Sequence, residues 1–108
     1  MAKFEIFKDK KEEFRFRLKA GNGQIILVSE GYKIKASCLN GIESVRENSQ
    51  DDSKFEKLIA KNGKPHFNLK ASNGQVIGVS EIYSSMITMN NGINSIKKNA
   101  VKAIIVEV

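Results

Sequence analysis

The sequence predicts an α+β fold: two tandem copies of a strand–strand–strand–helix unit, closed by a last strand, sharing one sheet with both helices on one face. Three observations predict it. Sliding the 108-residue chain against itself by 51 positions matches 17 of the 33 residues from Phe16 to Asn48 with those from Phe67 to Asn99. A gapless match of that length is a tandem duplication, not chance. Within each copy the apolar residues alternate at period two and then change to helical spacing. Finally, the opening strand recurs a third time, since Lys3-Phe4-Glu5 aligns with Lys54-Phe55-Glu56 and again with Ile105-Val106-Glu107.

The elements follow in order. Phe14, Phe16, Leu18 and Ala20 alternate with Glu13, Arg15, Arg17 and Lys19, the pattern of a half-buried strand. In the second copy Pro65, Phe67, Leu69 and Ala71 alternate with Lys64, His66, Asn68 and Lys70, and the proline falls at the strand start, where a missing donor is tolerated. Asn22-Gly23 and Asn73-Gly74 accept positive φ and mark hairpin turns. Ile25–Val28 and Val76–Val79 are apolar on both faces, as central strands are. Helical spacing runs from about Lys33 to Asn48 and from Ser84 to Asn99. Ile34, Cys38, Gly41 or Ile42, and Val45 share one side, as do Met86, Met89, Ile93 and Ile96. Ser84 suits an N-cap, whereas its counterpart Lys33 does not. Asn48 and Asn99 suit the left-handed residue that closes a helix. Gly41 and Gly92 each cost about 1 kcal/mol against alanine inside a helix. Their presence in both copies implies close approach of helix to sheet; the alternative is that Asn-Gly breaks the helix there. Lys102–Val108 is apolar on both faces and is expected to be an inserted strand in the sheet of the first copy, while Ser53–Leu58 serves the second. The chain therefore reads as one domain of two repeats, 1–51 and 52–108, the second including the closing strand 103–108. A monomer with an internal pseudo-twofold axis is expected, relating 4–50 to 55–101.

Composition narrows the function classes. Hydrophobic residues make up 41% and charged residues 28% of the chain, as in soluble globular proteins. Apolar runs such as Ile25–Val28 fall far short of the roughly 20 residues that a membrane helix needs. Met1-Ala2-Lys3-Phe4-Glu5 leads straight into a strand without the apolar stretch of a signal peptide, so a cytoplasmic location is expected. A single cysteine excludes an intrachain disulfide and a Cys-rich zinc module. The formal charge of +6 is spread evenly over both halves, which serves solubility and also attracts polyanions without specificity.

The element Asn-Gly-Gln-x-Ile-x-x-Ser-Glu-x-Tyr, followed by Asn-Gly-Ile-x-Ser-[Val/Ile]-[Arg/Lys]-x-Asn, occurs at Asn22–Tyr32 with Asn40–Asn48, and again at Asn73–Tyr83 with Asn91–Asn99. It resembles the YegP-like family of uncharacterised bacterial proteins over nearly the whole chain. The resemblance implies tandem β(3)-α-β motifs that form a single sheet with swapped C-terminal strands, in agreement with the threefold opening strand. It implies no activity.

Ser29, Glu30 and Tyr32, repeated as Ser80, Glu81 and Tyr83, are the candidate polar binding loops at the strand-to-helix junctions. Structural roles also account for them: serine capping free helix amides, glutamate favouring the positive end of the helix dipole, and tyrosine packed with its hydroxyl satisfied. Lys19-Ala20-x-Asn22-Gly23 lacks the glycines and the Lys-Ser/Thr pair of a phosphate loop and reads as a hairpin turn. His66 has no second histidine, and Cys38 lies on the apolar stripe as a core thiol. No catalytic grouping, metal site or cofactor is indicated. Arg15, Arg17 and Lys19 share one side of a strand, and His66, Asn68 and Lys70 share that side of its copy, giving a candidate basic face on the open side of the sheet. Two functions compete: a small non-enzymatic interaction or accessory domain, or a weak electrostatic nucleic-acid binder on that face, which lacks the stacking aromatics such binders use.

Overall fold

The structure is a computed structural model that describes residues 1–108. In the first repeat β1 (Lys3–Lys8), β2 (Phe14–Lys19) and β3 (Ile25–Val28) precede α1 (Lys35–Asn48). After a short 3-10 turn at Asp52–Lys54, the second repeat gives β4 (Phe55–Ile59), β5 (Pro65–Lys70), β6 (Val76–Val79), α2 (Met86–Asn99) and the closing β7 (Ile104–Glu107). All strands lie in one sheet of order β4-β5-β6-β3-β2-β1-β7. The apolar β3 and β6 are central in strand order, although Ile25 and Val79 stay exposed, and β7 crosses to the far edge to pair in parallel with β1. This is the exchange of C-terminal strands that the resemblance implies.

Alternation places Phe4, Ile6, Phe16 and Leu18 of the first half, and Phe55, Phe67 and Leu69 of the second, in the core beneath the helices. Each half repeats one aromatic arrangement. Phe4 meets Phe16 edge-on at 5.8 Å and Tyr32 stacks on Phe16 at 6.4 Å; Phe55, Phe67 and Tyr83 do the same at 5.6 and 6.1 Å. The helix glycines make room for those tyrosines. A Cβ at Gly41 would stand 2.6 Å from the Tyr32 hydroxyl and 3.0 Å from the Phe16 ring, and one at Gly92 would stand 2.6 Å from Tyr83 Cζ. Asn-Gly therefore does not break either helix.

The halves join along a thin seam. β3 and β6 share one register pair, Val28 with Val79. Packing reinforces it, because α1 lies on β5 and β6 as well as β2, and α2 lies on β3 as well as β5. At the seam Leu27, fully buried, fills the space over Gly78, where a Cβ would come within 2.6 Å of the leucine side chain.

Several local expectations are corrected. The helices begin at Lys35 and Met86, so the N-cap of α2 is Ser85, in a reciprocal capping box with Thr88, and Ser84 lies outside it. Ile34 caps α1 with no side-chain bond and is 60% exposed, and Met86 is 48% exposed, so neither belongs to the buried stripe. Asn48 and Asn99 are the last helical residues rather than left-handed caps. Each amide donates back to a serine one turn earlier, Asn48 to Ser44 O at 2.9 Å and Asn99 to Ser95 O at 2.8 Å. The closing strand is added at the sheet edge, not inserted, so Ile104, Ile105 and Val108 stay exposed and only Ala103 beside it is buried. A third Asn-Gly turn, Asn62-Gly63, joins β4 to β5 with Gly63 at φ 81°.

Two substitutions probe this packing. Gly41→Val drives methyls into Tyr32 and Phe16 and is expected to lower stability in urea by about 1–3 kcal/mol, as overpacking does. Gly78→Val meets Leu27 at the seam and is expected to lower it by a similar ~1–3 kcal/mol. Urea midpoints equal to the parent's would show that both sites yield without strain.

Candidate functional site

The repeated Ser-Glu-x-Tyr groups follow β3 and β6, where each strand leaves the sheet. Their serines serve the sheet rather than the helices. Ser29 Oγ accepts from Phe16 N at 2.9 Å and donates to Glu30 O at 2.8 Å, while Ser29 N donates to Phe16 O at 2.9 Å. Ser80 Oγ repeats this with Phe67 N and Glu81 O. The serine thus continues the ladder for one residue after the strand has turned away. That geometry corrects the expected helix-capping role. The tyrosines then return to the sheet, Tyr32 N donating to Phe14 O at 2.7 Å and Tyr83 N to Pro65 O at 2.8 Å. Burial pushes both phenols above their ordinary value, and the neighbouring Glu30 and Glu81 add to the effect. The Tyr83 hydroxyl, expected to be satisfied, is buried with no hydrogen-bond partner in the protein. Glu30 and Glu81 are exposed.

The two junctions are not alike. The second opens on a cleft of about 390 Å³ between the Asn22-Gly23 turn of the first repeat and α2 of the second. Asn22 and Gln24 line one wall, and Glu81, Ser84, Asn91 and Ser95 the other. Gln24 Nε2 donates to Glu81 Oε2 across it at 3.3 Å. At the opposite end of α1 Ser72, in the turn between β5 and β6, donates to Asn48 Oδ1 at 3.4 Å. Gly21 holds the place of Ser72 in the first repeat and supplies no such bond to α2. The cleft contains one carboxylate and no cationic side chain.

On the open sheet face the basic residues are distributed among carboxylates. Glu5, only 5% exposed, accepts from Arg17 Nε at 2.7 Å, pairs with Lys19 at 3.3 Å and lies 3.8 Å from Lys3. Arg15 Nε donates to Asp9 at 2.7 Å and its Nη1 to Ser29 O at 3.0 Å. Lys70 pairs with Glu56 at 3.0 Å, beside Asn68. His66 is half-buried opposite Leu58. The bond from Arg17 holds the Glu5 carboxyl below the usual carboxylate range, and those from Arg15 and Lys70 do the same for Asp9 and Glu56. Such pairing leaves the face much less positive than the row of arginines and lysines suggests. Sequence reasoning missed Glu5 and Asp9. Glu5 sits at period two within β1 and could have been paired with Arg17 once the β1–β2 register was set. Cys38 is fully buried, as expected, and burial pushes its thiol up. No group of three or more His, Cys, Asp or Glu side chains could hold a metal.

Comparison with known proteins places these features in a family. The model of the family described as a domain of unknown function (DUF1508) matches residues 9–56 and again 60–107, once per repeat. A UPF0339 protein of Stutzerimonas stutzeri is 54% identical over 105 residues, covering 97% of this chain and 95% of that one. The UPF0339 protein YegP of Escherichia coli K12 is 50% identical over 96 residues, covering 89% and 87%. The solution structure of a UPF0339 protein from Shewanella oneidensis superposes with a TM-score of 0.92 at 46% identity, covering 98% of this chain and 90% of that one. That of YegP from E. coli superposes at 0.93 and 45% identity, covering 98% and 91%.

The carboxylates on the open face predict an acid limit to stability. Their folded-state pKa values are depressed, so their contribution is present above the unfolded value, 4.5 for Glu5, and is lost as pH falls through the folded one. Urea midpoints are expected to drop below about pH 4.5, and Glu5→Gln is expected to flatten part of that drop, leaving the part due to Asp9 and Glu56. A pH profile of Glu5→Gln parallel to the parent's would show that Glu5 carries none of it.

Proposed function

The chain belongs to the DUF1508 family, and on that premise we propose that it is a monomeric, cytoplasmic, non-enzymatic interaction module whose contact site is the cleft at the second tyrosine junction. The observation that carries this reading is the asymmetry of the two junctions. A cleft lined from both repeats stands at the second of two equivalent places. The groups that could have done chemistry support the same reading by how they are engaged. Both junction serines are bonded to backbone on either side, and the only thiol is sealed in the core.

The lining sets the chemistry of the contact. Amides and hydroxyls offer donors and acceptors, Glu81 adds a negative charge, and no cation is present to receive a phosphate or carboxylate. The cleft suits a neutral or cationic group, such as a lysine or amide side chain presented by a protein partner. Charge-assisted hydrogen bonds to Glu81 would then be the strongest contacts. The nucleic-acid reading draws no support from a face whose arginines and lysines are already paired with carboxylates.

Titration of 15N-labelled protein with acetyl-lysine-methylamide is expected to shift amides of residues 22–26, 81–85 and 91–95, and the glutamate analogue is expected not to. Glu81→Lys is expected to abolish the response. Shifts produced equally by the glutamate analogue, or no shift in the cleft at millimolar lysine analogue, would overturn this assignment of the site.

A further inference from the structure

The pseudo-twofold axis leaves one position of the sheet without its counterpart. β1 carries β7 on its outer edge, in parallel register from Lys3↔Ile104 to Ile6↔Glu107. Its equivalent β4 is bonded only to β5 and ends the sheet. Where β7 enters, Ala103 is buried and its carbonyl accepts from Arg46 Nη2 at 2.7 Å, with Arg46 lying over the Phe4 ring. The equivalents of Phe4, Ile42 and Arg46 are Phe55, Ile93 and Lys97. They line a groove of about 350 Å³ beside β4.

We propose that the outer edge of β4 and this groove form a docking site for an extended segment of a partner protein, which adds as an eighth strand parallel to β4. This site is separate from the junction cleft, and neither assignment depends on the other.

The chain's own β7 specifies what would fit. Its residues at 103, 105 and 107 face the helices, and the equivalent register opposes Phe55 to the Ile105 position and Lys57 to the Glu107 position. The occupant therefore has a small residue first, β-branched apolar residues next and an acidic residue at the fifth position, where it meets the exposed Lys57. Main-chain bonds give such strand addition its affinity and the alternate side chains give it selectivity. Backbone groups are available for it. Phe67 directs both its N–H and its C=O to Ser80, so the opposing Lys57 directs its own outward, as Ile6 does when its carbonyl accepts from Val108 N at 2.9 Å. A second copy of this chain is a poor donor, since its β7 would leave an equivalent place on its own β1 and gain nothing in exchange.

The probe is an N-acetylated peptide, Ala-Val-Lys-Ala-Ile-Ile-Val-Glu-Val, added to the 15N-labelled full chain. Saturable shifts are expected at residues 52–59 and 90–97, with hydrogen exchange of the Lys57 amide slowed about tenfold at saturation. Lys57→Pro removes that outward donor without touching a β4–β5 bond and is expected to abolish binding. Should Lys57→Pro fail to fold, Asn94→Trp, an exposed groove residue, is expected to do the same by filling the groove. The proposal is overturned by an absence of shifts at millimolar peptide, or by shifts at residues 3–8 instead, which would mean displacement of β7. Undiminished binding by the folded variant would also overturn it, as would a dimer of the free chain that buries β4 against a second copy.

Discussion

Two side chains that a duplication would make identical cannot both occupy an axis of symmetry. In this molecule the constraint falls on Leu27 and Gly78, which the shift of 51 residues makes equivalent. The leucine reaches over the glycine and is fully buried there. Two leucines would overlap; two glycines would leave a void at the place where β3 and β6 share a single register pair. With one of each the seam closes, and each helix then lies partly on the other half's strands. That shared packing makes two small units into one core, since a unit of this size buries too little apolar surface to be stable alone.

Symmetry elsewhere is kept where the physics is local and broken where it is not. The Phe–Tyr stacks, the helix glycines beneath the tyrosine hydroxyls and the serine bonds that extend β3 and β6 are the same in both halves to within a few tenths of an ångström. Two differences at the surface set the halves apart. Gly21 in place of Ser72 leaves α2 without the turn-to-helix bond that α1 has, and Lys57 in place of the buried Ile6 gives β4 an edge unlike that of β1.

Much of this was legible in the residues. The repeat, the alternation of Phe16 and Leu18 with Arg15 and Arg17, and the Asn-Gly turns place strands, turns and helices, because period and turn chemistry act over a few residues. What was not legible depends on which strand lies beside which. Arg17 reads as a free cation until β1 sets Glu5 beside it, and the junction cleft joins Gln24 to Glu81 across 57 residues of chain. Local rules also misled. Asn48 and Asn99 suit left-handed caps, yet bonds to Ser44 and Ser95 one turn back keep them helical. Ser29 and Ser80 suit helix caps, yet strand amides reach them first.

The pairing of β1 with β7 has a consequence for how the chain reaches this structure. Lys3 and Ile104 are partners across almost the entire length of the polypeptide, and contacts so far apart in sequence close late because the loop entropy is met before the contact forms. During synthesis the hairpins and α1 of the first repeat can form as they emerge, but the outer edge of β1, with Phe4 and Ile6, stays uncovered until residues 103–107 arrive. A nascent chain stalled before that point would display an apolar strand edge, the kind of surface that chaperones bind and that seeds aggregation.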